Sequence, residues 1–162
     1  MTRAATPLII LALAAACGQS GSPTQGKPAA ATPAGRLEQL ASSNARLVGY
    51  VYSADQPFVI ATFNNGSLQW RHDPEGKSII QGPAELFSEP DRVCIGFQAK
   101  NPSMPAQGPE RYLVCEALRL IEHHNSLPRS QDFWLQPGTM FIEYAPPAGT
   151  GYPQIFYASV TK

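Results

Sequence analysis

No apolar run in this chain is long enough to cross a bilayer as a helix, which takes about 20 residues. Neither sign of charge predominates. The 12 basic and 12 acidic residues cancel, so the electrostatic footprint of a nucleic-acid binder is missing, as is a polybasic membrane patch. The charges are scattered rather than blocked, which reads as a solvated surface. Signatures of catalysis are missing as well. There is no Gly-x-Ser-x-Gly elbow; the nearest string, Gly18-Gln19-Ser20-Gly21-Ser22, lacks the last glycine. There is no glycine loop of the kind that cradles phosphate. The acidic residues form no close pair on one expected face, so a glycosidase dyad has no support. With only 3 histidines, the metal-binding option rests on His72, His123 and His124. The last two are adjacent, and neighbours on a strand point to opposite faces, so Glu122-His123-His124 reads as a polar strand end. No enzyme, cofactor or metal is expected.

The most informative stretch present is the N-terminus. Arg3 and the α-amino group give a positive start, Leu8-Ile9-Ile10-Leu11-Ala12-Leu13 an apolar core, and Ala14-Ala15-Ala16 small residues before Cys17. That is the layout of a cleaved export signal. It resembles the lipobox signal of bacterial lipoproteins, although Leu13 lies one place further from the cysteine than the leucine usual there. The resemblance covers only these first residues. It implies that residues 1–16 are removed, that Cys17 becomes a lipidated N-terminus, and that the protein is anchored in the cell envelope. Gly18 after that cysteine, rather than aspartate, implies the outer membrane, facing the periplasm. Loss of Arg3 with the signal leaves 11 basic against 12 acidic residues, a net charge of −1.

Residues 18–35 contain no aromatic and no Leu, Ile or Val. Such a segment cannot bury enough apolar surface to offset its ordering entropy. Residues 17–35 are therefore expected to be a lipid-bearing tether, with residues 36–162 as one domain. In RLEQLASSNAR, Leu37, Leu40, Ala41 and Asn44 share one helical face, which suggests a short helix. All 15 aromatics follow, between Tyr50 and Tyr157.

Beyond Ala45 the texture is β. Runs at 46–53, 58–64, 67–72, 92–99, 111–121, 139–144 and 155–161 are rich in β-branched and aromatic residues and bounded by Gly, Pro, Asn and Asp. Asn65-Gly66 favours a type I′ hairpin turn. It pairs Phe63 with Leu68, Ala61 with Trp70 and Val59 with His72 on a mostly apolar face, and Thr62 with Gln69 and Ile60 with Arg71 on the other. A second hairpin follows from the cysteines. Once Cys17 is set aside, Cys94 and Cys115 are an even pair in an oxidising compartment, and a disulfide is expected. Placing them opposite one another sets Ile95 against Val114, Phe97 against Tyr112 and Gln98 against Arg111. Gly49 and Gly96 fall inside strands and suggest bends. Residues 73–91, 122–138 and 145–154 read as irregular. About seven short strands without a long helix indicate an all-β domain, a small antiparallel barrel or sandwich, with an OB-like barrel among the options.

Function is suggested only by aromatics in or beside irregular segments. Phe133, Trp134 and Tyr152 are candidate partner-binding residues, since large apolar groups on loops are common in recognition surfaces. The same residues would also suit a loop folded back over the end of a barrel. The expectation is a non-catalytic β module that docks a protein or other envelope component. The alternative is an inhibitor or immunity protein that blocks a toxin or a wall-degrading enzyme.

Overall fold

The computed structural model describes residues 32–50, 57–72, 75, 77–100, 107–123 and 133–161, with the side chains of His123 and Phe133 excepted. The expected signal segment, Cys17, residues 18–31 of the tether and His124 lie outside the described residues. Among the described residues no helix is long and apolar enough to cross a membrane.

The first element among the described residues is helix α1 (Pro33–Ser42). Thr32 caps it, its hydroxyl accepting from Gly35 N–H at 3.1 Å, and Pro33 supplies a first-turn residue with no amide hydrogen to satisfy. Residues 33–35, expected to belong to the tether, are thus its first turn. Ten residues are too few for a stable isolated helix, so packing has to hold it. Leu37 and Ala41 are buried in the main core, with Leu40 packed beside them. Beyond the helix, Asn44 adopts positive φ, and its side-chain oxygen accepts from Asn65 N–H at 3.0 Å. That bond ties the helix exit to the first hairpin turn.

Strands β1 (Arg46–Tyr50), β2 (Val59–Asn64), β3 (Ser67–Arg71), β4 (Ile80–Pro83), β5 (Glu85–Ser88), β6 (Arg92–Ala99), β7 (Glu110–Ala117), β10 (Met140–Ala145) and β11 (Gln154–Thr161) form one antiparallel sheet. Strands β8 (Ile121–His123) and β9 (Phe133–Leu135) make a separate hairpin. In the large sheet the order is β4-β3-β2-β1-β11-β10-β7-β6-β5. β4 and β5 stand at its two ends, yet they are separated in sequence only by Ala84. This residue continues the β3 pairing by donating to Gly66 O at 2.8 Å, while Glu85 opens the pairing with β6 opposite Gly96. One bent segment, 80–88, therefore joins both ends and curls the sheet into a nearly closed barrel. Gly82 makes the bend possible: a Cβ there would lie 2.6 Å from the Phe97 ring.

The expected all-β, antiparallel barrel is what forms, with nine strands in the sheet rather than seven. Apart from the bend between β4 and β5 and the inserted β8–β9, successive strands are paired neighbours, so the order is an up-and-down meander and not the Greek key of an OB-like barrel. The segments read as irregular, 73–91 and 122–138, hold β4, β5, β8 and β9. The run 111–121 is broken after Ala117, where the chain turns out of the barrel. Both hairpin registers match expectation. Phe63 opposes Leu68, Ala61 opposes Trp70, Thr62 opposes Gln69 and Ile60 opposes Arg71, with Asn65 and Gly66 both at positive φ. The pairing closes at Arg71, before His72. Cys94 opposes Cys115, with Phe97 against Tyr112 and Gln98 against Arg111, and the two sulfurs are bonded.

Alternation along the strands makes two cores. The inner one fills the barrel with Leu47, Phe63, Leu68, Trp70, Ile95, Phe97, Tyr112, Val114, Ile142 and Phe156, and includes Leu37 and Ala41 of α1. The outer one lies on the other face of the sheet, where Cys94, Leu113, Cys115, Phe141 and Ile155 are covered by Ile121 and Leu135 of the β8–β9 hairpin. The hairpin is thus a flap on the barrel wall and not a plug in its end. That position is filled by α1.

Candidate functional site

Following the registers around the barrel separates its two ends. One end carries Arg46, the Asn65-Gly66 turn, Arg92, Ala117, Met140 and Thr161. α1 lies here. Its Arg36 donates from Nε, at 2.9 Å, and from Nη2 to the two carboxylate oxygens of Glu116, which points into the barrel and is buried. An unpaired carboxylate in that position would be costly, so the forked Arg36 contact completes the plug.

At the opposite end emerge the connections β1–β2, β3–β4, β6–β7 and β10–β11. Just inside this mouth, four strands bring together Trp70 and His72 from β3 and its exit, Phe97 from β6, Glu110 and Tyr112 from β7, and Tyr144 from β10. The ring centroids of Trp70 and Tyr112 are 5.4 Å apart, Tyr112 and Tyr144 5.3 Å, and Phe97 and Tyr112 5.0 Å. The His72 imidazole sits against three of them, at 5.0 Å from Tyr144, 5.7 Å from Trp70 and 6.1 Å from Tyr112. The Tyr112 hydroxyl donates to Glu110. Burial pushes the Tyr112 hydroxyl well above its ordinary pKa, and the hydrogen bond to Glu110 adds to the rise. Tyr144 is raised too, by burial first and then by the charge of Glu110. Burial lowers the His72 pKa, against a smaller upward pull from Glu110. The imidazole is therefore neutral near pH 7. Fully buried Trp70 has no hydrogen-bond partner for Nε1 among the described residues.

Comparison with protein-family models, curated proteins and solved structures gives no match. The chemistry of the site has to be read from its own residues.

Large apolar groups mark the rim of this mouth. Tyr152, on the β10–β11 connection, is 74 % exposed, and Phe58, at the entry to β2, is 45 % exposed while stacking on Phe156 at 5.5 Å. Of the aromatics picked out in the sequence, only Tyr152 belongs here. Trp134 is 54 % exposed on the outward face of the flap, opposite Glu122. Phe133 lies beside it in β9, and its side chain is outside the described residues. Flap and Tyr152 are rooted at opposite ends of β10, five residues or about 17 Å apart along the strand. The three residues do not start from one surface.

A second polar cluster lies on the outer face of the sheet. Arg92 bonds both oxygens of Asp91, at 3.0 and 2.9 Å, and also Glu143. Arg111 bonds Glu89 at 2.6 Å. Arg92 also lies over the Phe141 ring, 5.5 Å from its centroid. Burial raises the Glu143 pKa despite the Arg92 charge, whereas the Arg92 bond lowers that of Asp91. This cluster fastens β6, β7 and β10 from outside. Among the described residues no group of three or more His, Cys, Asp or Glu is placed to hold a metal ion.

The mouth cluster was half visible in the sequence. The two hairpin registers put Trp70 with His72, and Phe97 with Tyr112, on the apolar faces of their hairpins. A histidine on such a face was the signal. What joins the two hairpins is the 80–88 strand, and its bend had no signature.

Proposed function

We propose that this chain is a lipid-anchored binding module of the bacterial cell envelope that presents the open-loop end of its barrel to a partner. The observation that carries the reading is the polarity of the barrel. α1 plugs one end, and its N-terminus, which continues back toward Cys17, starts from that end. The mouth, with its buried aromatic and carboxylate cluster and the exposed rings of Tyr152 and Phe58, lies at the far end from the attachment point. Exposed aromatics over a rigid frame are the usual make-up of a recognition surface. The disulfide between β6 and β7 and the ion pairs of Arg92 and Arg111 hold that frame. Anchoring through Cys17 in the outer membrane, facing the periplasm, is part of the proposal, as is a binding role without catalysis.

The test is crosslinking and capture of the tagged, full-length protein from its own cells, alongside Cys17→Ser and the pair Tyr152→Ala and Phe58→Ala. Cys17→Ser is expected to leave the membrane fraction, and the rim variants to lose the partner that wild type captures. Capture unchanged by the rim variants would refute the mouth as the presenting surface. A partner that is a toxin or lytic enzyme would turn the reading toward the inhibitor function, through the same surface.

A further inference from the structure

We propose that the mouth is a receptor site for a small organic cation, an amine or quaternary ammonium group, and that the His72 imidazole fills its place in this structure. The proposal rests on the reading of this end of the barrel as the presenting surface and names what it receives.

Three electron-rich rings on three strands, Trp70, Tyr112 and Tyr144, stand around one imidazole at 5.0 to 6.1 Å. Their planes are steeply inclined to it, at 71°, 67° and 83°. This is the spacing at which a cation is attracted by ring quadrupoles, within about 6 Å of each centroid. Phe97, stacked on Tyr112 at an interplanar angle of 18°, fixes the central ring from behind. Glu110 supplies a carboxylate within the same cluster, bound by the Tyr112 hydroxyl, and its negative charge favours a cation there. A cluster of three electron-rich rings with one carboxylate matches a positively charged, weakly hydrated group. A neutral imidazole uses neither feature.

Two further observations favour a ligand over a purely structural cluster. Trp70 is fully buried, yet its Nε1 has no partner among the described residues. For filling space alone, phenylalanine would serve without a stranded donor, which costs about 1–3 kcal/mol; the indole is the ring that attracts cations best. His72, in turn, is placed to leave. It follows the last paired residue of β3, since the register closes with Arg71 opposite Ile60, and although its ring packs on the three aromatics, part of the residue reaches solvent. Swinging it out breaks no ladder pair. Two surface depressions are found among the described residues: one of about 90 Å³ between Arg46, Ile60, Gln69 and Arg71, which also reaches Trp70, and one of about 310 Å³ between α1 and Met140. Neither includes His72, Glu110, Tyr112 or Tyr144.

The experiment titrates the full-length protein, in a Trp134→Phe background so that Trp70 alone emits, with choline and with its uncharged isostere 3,3-dimethyl-1-butanol. The expected result is a saturable change in Trp70 emission with choline and none with the isostere. His72→Ala should tighten choline binding about tenfold by emptying the cluster, and Glu110→Gln should weaken it about tenfold. Phospholipid headgroups carry the same cation, so phosphatidylcholine vesicles form a second arm. Binding of free choline that vesicles do not compete away assigns a soluble ligand, and competition assigns the headgroup. An equal response to choline and isostere overturns the proposal. So does the absence of any response up to about 100 mM choline in both wild type and His72→Ala. Because only small probes are used, that outcome leaves partner capture by the rim standing or falling on its own test.

Discussion

Replacing Leu37 by alanine separates a helix that plugs the barrel from one that merely rests on it. Leu37 is fully buried among inward-facing residues of the barrel. Emptying such a site costs the transfer energy of the lost methyls plus the cavity left behind, about 3 to 5 kcal/mol in tightly packed positions. The chain from Thr32 to Thr161 is 130 residues long, so its unfolding entropy near the midpoint is about 0.27 kcal/mol/K. A loss of about 3 kcal/mol then lowers the melting temperature by about 11 °C. The natural control is Leu120→Ala. Leu120 is half exposed beside the flap, and its loss should stay within about 0.5 kcal/mol, or about 2 °C. The assay is thermal unfolding followed by far-ultraviolet circular dichroism on the Cys17→Ser chain. Equal shifts for the two variants would refute the plug. α1 would then be an appendage, and the difference between the two barrel ends, on which the functional reading stands, would go with it.

Three further outcomes are expected. Mass spectrometry without reduction should find no alkylatable thiol at Cys94 or Cys115, and replacing the pair by alanine should cost about 3 kcal/mol of stability in denaturant titration. Two reactive thiols would contradict the cross-strand bond. Gly96→Ala should cost about 3 kcal/mol, at the upper end for an overpacked site, since the added Cβ would fall 2.0 Å from the Tyr112 carbonyl oxygen; a melting point near wild type would mean that β6 and β7 are not so closely packed. Burial depresses the His72 pKa against the opposing pull of Glu110, so the folded chain holds fewer protons there than the unfolded chain, whose imidazole titrates near 6.5. Stability should therefore fall as the pH drops below about 6.5, by a modest amount because the residue is partly exposed and solvent screens the effect. His72→Gln should flatten that part of the curve, and an unchanged pH profile would show that the imidazole is freely hydrated.

The parts of the fold that could be read from the sequence are those with a local chemical marker. Asn65-Gly66 fixed one hairpin because its turn requires positive φ at both residues, and the cysteine pair fixed the other because only directly opposed positions bring the sulfurs together. β4 and β5 had no such marker. Each is four residues long, and Gly82, Pro83 and Pro90 read as breakers, although the close Gly82–Phe97 contact is what lets the strand bend around the barrel. The flap escaped notice because β8 and β9 are three residues each and gain their stability from Ile121 and Leu135 packing on the barrel wall. The mouth depends on both. His72, Glu110, Tyr112 and Tyr144 are scattered over more than 70 positions of sequence and meet only once the barrel curls. Trp134, chosen for its composition, is instead the outward residue of the flap.

Site-specific photo-crosslinking in living cells tests the central claim, that the barrel works through its loop-bearing end. A photoreactive phenylalanine analogue would replace, one at a time, Tyr152 at the mouth, Trp134 on the flap and the half-exposed Val160 near the plugged end. The expected result is one discrete, saturable adduct from position 152 and none from 160. Adducts from 160 or 134 with none from 152 would contradict the account and move the working surface to the plugged end or the barrel wall.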